Sequence, residues 1–233
     1  MYSLRRIIGT YLQKIKNILK GNETIHESKN KWDSLAQKNA RYFIMSDYGE
    51  NISEEDFRNS GHADVDTLVV QDEILQPFFG KILLEIGCGT GRLTEFIADH
   101  FAQVIGVDIS SQMIEDGTKR LASKKNIIMY ATDGVSYPLK DQSIDAAFSF
   151  IVFQHMPTPE IVRSNFEEIS RVLKPGGVVK LQLRGIPTRK GTWFYGPSFR
   201  KKNVLQLIDG LQFQILKTDG ENTKYFWVWL KRQ

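Results

Sequence analysis

The chain of 233 residues has one cysteine, Cys88, so no intramolecular disulfide can form, and the composition suits a reducing compartment. Histidines are few as well. His26, His62, His100 and His155 show no metal-ligand spacing with cysteine or carboxylates, and no metal is expected. No apolar run reaches the ~18 residues that suggest a membrane span. Internal repeats and low-complexity tracts are absent. Acids are missing from residues 1–20, where Arg5, Arg6, Lys14, Lys16 and Lys20 stand. Of the 31 Lys and Arg residues, 26 remain outside that stretch, against 27 Asp and Glu, so the net charge of +4 resides in it. The remaining body is not basic and holds no recognisable RNA-binding module, so nucleic acid is not an expected partner. A second acid-free basic stretch holds Arg184, Arg189, Lys190, Arg200, Lys201 and Lys202.

Residues 3–20 read as an amphipathic helix, with Leu4, Ile7, Ile8, Tyr11, Ile15, Ile18 and Leu19 at helical spacing and Gly21-Asn22 as its stop. Its apolar stripe suits either packing on protein or resting on anionic lipid. Another helix is expected over 31–45, a polar, acidic connection over 53–61, and a helix over 64–76 leading to Pro77. From Lys81 onward strands and helices alternate. Strands are expected at Lys81–Ile86, Gln103–Asp108, Asn126–Ala131, Ile144–Phe150 and Val178–Leu183. Helices should lie between them, one running from about Gly91 to His100, one capped by Ser110 and one begun by Thr158-Pro159. Such alternation implies parallel βαβ units in a doubly wound α/β sheet.

The C-terminal end departs from that rhythm. A helix near Phe199–Ile208 precedes strands at Leu211–Lys217 and Lys224–Lys231. In the last strand Tyr225, Trp227 and Trp229 alternate with Phe226, Val228 and Leu230, so both faces are apolar. A strand of that kind belongs inside a sheet, which predicts an antiparallel hairpin whose last strand is inserted inward. Three segments follow: a basic helix over 1–21, a helical cap over 22–63, and an α/β domain over 64–233.

The densest chemistry lies at the ends of the first three strands. Glu85-Ile86-Gly87-Cys88-Gly89-Thr90-Gly91 follows the first, and its glycines allow close backbone approach to a ligand. A dinucleotide fingerprint would need glycine at 92, where Arg92 stands. Asp108 ends the second strand and can accept both hydroxyls of a ribose. Thr132-Asp133-Gly134 follows the third, where a carboxylate can accept from an adenine amino group. Together these describe a site for an adenosine with an amino-acid tail. Taken singly, the glycines could serve a tight turn, Asp108 a helix cap, and Asp133 an ordinary turn.

Leu84-Glu85-Ile86-Gly87-Cys88-Gly89-Thr90-Gly91, Val107-Asp108-Ile109-Ser110, Thr132-Asp133-Gly134 and Arg171-Val172-Leu173-Lys174-Pro175-Gly176-Gly177 resemble the successive motifs of class I S-adenosylmethionine-dependent methyltransferases. Trp32-x-x-Leu35-Ala36, Tyr42-Phe43-Ile44, Val152-Phe153-Gln154-His155-Met156-Pro157, Thr192-Trp193 and Tyr225-x-Trp227 narrow the resemblance to a bacterial group without assigned substrates. The resemblance implies a Rossmann-like sheet of seven strands in order 3-2-1-4-5-7-6, strand seven antiparallel, preceded by N-terminal helices. It also implies S-adenosyl-L-methionine as cofactor. By it, Gly87, Gly89 and Gly91 border the methionine part, Asp108 holds the ribose, Met113 packs near the adenine and Asp133 meets its amino group. Glu85, Cys88, Ile109, Gly134 and Phe150 complete the expected cofactor site.

Methyl transfer from a sulfonium needs mainly alignment, and a base only if the acceptor must lose a proton. His155, just after the fourth strand, is the candidate base. Arg184, Arg189 and Lys190 with Trp193, Phe194 and Tyr195 suit an anionic acceptor bearing a sugar or ring. The expected acceptor is therefore a small molecule or a lipid- or glycan-linked one, with the enzyme cytoplasmic, and peripheral to the membrane where residues 3–20 rest on lipid and do not pack on protein. An RNA or protein methyltransferase is the alternative, although Phe148-Ser149-Phe150-Ile151-Val152 stands where an N/D-P-P-Y/F motif would be. A non-catalytic cofactor-binding protein is the third reading.

Overall fold

The computed structural model describes residues 24–46, 49–187 and 196–233. Residues 3–20, and Arg189, Lys190, Thr192, Trp193, Phe194 and Tyr195 of the second basic stretch, lie outside the described residues.

Strands β1 (Ile82–Ile86), β2 (Gln103–Asp108), β3 (Ile127–Ala131), β4 (Ile144–Ser149) and β5 (Leu173–Leu183) pair in parallel; β6 (Phe213–Asp219) and β7 (Phe226–Arg232) complete the sheet. The order is β3-β2-β1-β4-β5-β7-β6, with β7 antiparallel to both of its neighbours. Side chains alternate across the sheet, which splits β1 between two apolar layers. Leu84 and Ile86 join Val107, Ala147, Phe166 and Ile169 on one face; Leu83 joins Val104, Ala146, Phe148, Ile97 and Val65 on the other. The last strand behaves as its pattern predicts. Phe226, Val228 and Leu230 enter the first layer, while Trp227 packs against the second.

Six helices flank the sheet among the described residues. They are α1 (Ile25–Ile44), α2 (Glu54–Val65), α3 (Thr94–Ile97), α4 (Ser111–Arg120), α5 (Pro159–Val172) and α6 (Lys201–Ile208). Several expectations need correction. The first helix begins at Ile25 and not near 31, because Thr24 and Glu27 form a capping box that satisfies the first turn. Residues 53–61 are not a connection. Ser53 caps α2 through the Asp56 N–H, and Glu54, Glu55 and Asp56 complement its N-terminal dipole. Accordingly the helix expected over 64–76 starts earlier, ends regular turns at Val65, and continues as one wider turn over Asp66–Val70. That helical run passes through the 63/64 junction. The helix expected from about Gly91 to His100 is regular only over Thr94–Ile97. At the hairpin, β6 and β7 each lie about two residues beyond the expected ranges. No described helix is long and apolar enough to cross a membrane.

Candidate cofactor and acceptor site

The carboxyl ends of β1, β2 and β4 open into a cavity of about 150 Å³, roofed by α1. Ten of the expected residues line it: Glu85, Gly87, Cys88, Gly89, Asp108, Ile109, Met113, Gly134, Phe150 and His155. Two do not reach it. Gly91 closes the loop from behind, its N–H donating to the Cys88 carbonyl at 2.9 Å. Asp133 turns its carboxylate into its own turn, accepting from the Val135 N–H at 2.9 Å, the Ser136 N–H at 2.7 Å and the Ser136 hydroxyl at 2.7 Å. Partial burial pushes its pKa up, but these three bonds outweigh it and hold the carboxyl below its usual range. Nearer the cavity, Asn165 donates to the Gly134 carbonyl at 2.9 Å and fixes that turn from α5.

Asp108 is the pivot. Its two oxygens accept from the Gly89 N–H at 2.9 Å and the Ser110 N–H at 2.8 Å. Each oxygen keeps a lone pair for a further donor. Burial raises its pKa despite those two bonds. The Gly87 and Cys88 N–H groups both donate to the Val107 carbonyl, at 2.7 and 3.1 Å, so the loop is tied to β2 at each step. Cys88 is a buried thiol whose pKa burial raises, and its sulfur sits where a Cβ on Gly106 would fall, 2.8 Å away. That is the position of a small packing residue.

The roof is held by polar contacts that periodicity cannot reveal. Lys29 donates to the Ile109 carbonyl and the Ser111 hydroxyl, both at 2.7 Å. Asp33 accepts from the Ser110 hydroxyl at 2.7 Å and the Gln112 N–H at 3.2 Å, which sets a carboxylate on the N-terminus of α4. Ile25, Ser28, Trp32, Phe43 and Ile44 thereby line the cavity. Arg92, standing where a dinucleotide fingerprint would have glycine, donates to Asp64 at 2.6 Å and Ser60 at 3.2 Å and fastens the loop to α2.

At the far end, His155 meets Trp32 edge-on, with ring centroids 5.5 Å apart. Burial, then the positive charges of Lys31, Arg184 and Lys224, drive its pKa down to about 3. It is therefore neutral at physiological pH. Ile151 lines the same end with φ +57°, a left-handed conformation costly for a β-branched residue. Its N–H donates to Gln182 Oε1 at 3.0 Å, which holds the strained turn from β5.

The donor set fits an adenosine with an amino-acid tail. Asp108 offers acceptors to a ribose, Ile109 and Met113 an apolar bed to a base, and Glu85 a negative partner to a cationic tail. Gly134 stands at φ +87°, where a side chain is strained, and a Cβ there would lie 2.7 Å from Ile25 Cδ1 and 2.8 Å from Ile109 Cδ1, so glycine suits the close approach of roof and strand end.

Glu85 carries a pH signature. Buried, it accepts from the Thr94 hydroxyl at 2.6 Å, yet desolvation dominates and raises its pKa to about 7. Folding thus favours its protonated form. The stability it contributes is fully present below its ordinary pKa of 4.5 and is lost as pH rises through about 7. A ligand ammonium would favour the carboxylate and release that proton on binding. S-adenosylhomocysteine affinity is therefore expected to rise between about pH 5.5 and pH 8, and Glu85→Gln to flatten the rise. Calorimetry across that range checks it; a wild-type affinity independent of pH would remove the coupling.

A methyltransferase-domain family profile matches residues 84–181. Phosphoethanolamine N-methyltransferase 2 of Caenorhabditis elegans is 37% identical over 109 residues, covering 46% of this chain and 24% of that protein. Demethylmenaquinone methyltransferase of Clavibacter sepedonicus is 31% identical over 109 residues, covering 47% and 43%. The chain spans less than half the length of these curated relatives. Among solved structures, magnesium protoporphyrin IX methyltransferase from Synechocystis with bound S-adenosylmethionine superposes with a TM-score of 0.64 at 18% identity, over 88% of this chain and 95% of that one. The fold and the site define a nucleoside-binding α/β domain of the Rossmann-like kind. Residues 84–181 thus match a methyltransferase domain, and the chain is similar to S-adenosylmethionine-dependent methyltransferases, a likeness with which the donor set of this cavity agrees.

Proposed function

We propose that this protein transfers a methyl group from S-adenosylmethionine to a small-molecule acceptor. The observation that carries the reading is a single cavity that joins Asp108, Glu85 and the glycine loop at one end to His155 and Trp32 at the other. The cofactor supplies an activated methyl group when bound. What the protein contributes is placement and a dry, shaped site. Trp32, Phe150, Ile151 and Met156 exclude water and bound the space for the acceptor. His155 is kept neutral; with so low a pKa it is a poor proton sink, which suits orienting a nucleophile better than removing its proton.

Finer features of the acceptor belong to the same proposal. Carboxylates stand at the cofactor end, whereas Lys31, Arg184 and Lys224 act on His155 at the other, which favours an acceptor with an anionic group. Relatives named for quinone and porphyrin substrates support a small acceptor. The basic, apolar-striped residues 3–20 support a lipid-linked one, with the enzyme in the cytoplasm and peripheral to the membrane. The test is incubation of the full chain with methyl-labelled cofactor and separated metabolite, lipid, RNA and protein fractions. Label is expected in the metabolite or lipid fraction; label confined to RNA or protein contradicts the proposal. Vesicle co-sedimentation of the full chain, compared with a chain lacking residues 1–21, decides the membrane part. Salt-sensitive binding that truncation abolishes is expected.

A further inference from the structure

We propose that Arg120, which lies outside the cavity, is the positioning residue that shapes the glycine loop for the amino-acid end of the cofactor; this rests on the cofactor reading above. Arg120 is the last residue of α4, and its side chain is 17% exposed. Its Nε donates to the Thr90 carbonyl at 3.0 Å and its Nη2 to the Gly91 carbonyl at 2.5 Å. One rigid planar fork therefore grips two consecutive carbonyls from behind the loop. Each peptide is planar, so fixing the Thr90 carbonyl also fixes the Gly91 N–H, and fixing the Gly91 carbonyl fixes the Arg92 N–H.

The guanidinium is itself held in place. Nη1 meets Glu95 Oε2 at 2.6 Å, while Glu95 Oε1 takes Arg58 at 2.9 Å. The Phe57 ring lies 5.7 Å from the guanidinium carbon. Nη1 also lies 3.5 Å from Glu54 Oε1, and the other Glu54 oxygen is 2.5 Å from Arg41 in α1. Arg41 shortly precedes Phe43 and Ile44, which line the cavity. The same group thus ties the back of the cofactor loop to the roof that closes over its front. The Gly87, Cys88 and Gly89 N–H groups are held from β2, so the fork acts on the other half of the loop, at Thr90 and Gly91, where Gly91 stands at φ +82°. Without the fork, cofactor binding would have to bear the cost of ordering it.

Calorimetry on Arg120→Met and Arg120→Lys tests the assignment with two ligands. S-adenosylhomocysteine carries the amino-acid tail; 5′-methylthioadenosine is the same nucleoside thioether without it. Arg120→Met is expected to lose S-adenosylhomocysteine affinity by about tenfold or more, as two charge-assisted bonds disappear, and methylthioadenosine affinity by less than about threefold. Arg120→Lys keeps the charge without the fork and is expected to recover only part of the loss. Should Arg120→Met fail to fold, the same selective loss in Arg120→Lys decides. Unchanged S-adenosylhomocysteine affinity, or an equal loss for both ligands, overturns the positioning role. A wild-type chain that binds neither ligand overturns the cofactor reading instead.

Discussion

Asp108→Ala is expected to weaken S-adenosylhomocysteine binding by ~1.5–3 kcal/mol, roughly ten- to a hundredfold. Two losses combine. The ribose hydroxyls lose a charge-assisted acceptor, and the Gly89 and Ser110 N–H groups lose the carboxylate that accepts them at 2.9 and 2.8 Å. Asp108→Asn separates the two. The amide oxygen can still accept one loop N–H, but the charge is gone, so an intermediate affinity is expected. Calorimetry with a parallel thermal melt checks both variants. An Asp108→Ala protein that melts normally and binds as tightly as wild type would detach this carboxylate from the cofactor.

Gly87→Ala should be costlier to the fold. Gly87 sits at φ +73°, and a Cβ there would lie 2.2 and 2.6 Å from the two γ carbons of Val152 and 2.9 Å from its Cβ. Val152 is β-branched and stiff, so relief requires the segment between β4 and His155 to shift. Left-handed strain of about 1–2 kcal/mol and overpacking of about 1–3 kcal/mol should add. Gly80→Ala is the matched control: φ is +75°, yet nothing lies within 4 Å of the added carbon. Both variants are expected to melt earlier than wild type, Gly87→Ala by the larger margin, and only Gly87→Ala should lose cofactor affinity. Equal melting shifts would mean that the Val152 contact contributes nothing.

These residues differ in how far the sequence reveals them. Glu85, Asp108 and the glycines announce themselves because a parallel sheet brings strand ends together, and a carboxylate at such an end has few structural duties. The interior position of β7 was legible for a related reason: Phe226 to Leu230 leave no polar face for an edge. Helix α2 is hard to read from the sequence because its buried stripe is Phe57, Gly61 and Val65. A glycine there looks like a break, whereas it is a close approach: a Cβ on Gly61 would fall 2.4 Å from the Arg92 carbonyl. The signals that could have revealed it were Ser53 and the acids after it.

Contacts made by charged residues were the least legible. Lys29, Asp33, Arg92 and Arg120 each bridge elements far apart in sequence. Nothing in their local spacing encodes those partners. Asp133 shows the converse. It stands two residues beyond the end of β3, where the resemblance implies a base contact, but a serine three residues later offers its carboxylate a hydroxyl and an N–H, and local geometry prevails.

The cavity is expected to hold an adenosine with an amino-acid tail and not a dinucleotide. Calorimetry of the wild-type full chain with S-adenosylhomocysteine and, separately, with NAD tests this most directly. Saturable one-to-one binding of S-adenosylhomocysteine, with NAD weaker by about a hundredfold or more, is the expected result. Comparable affinity for the two, or heat from NAD alone, would contradict it.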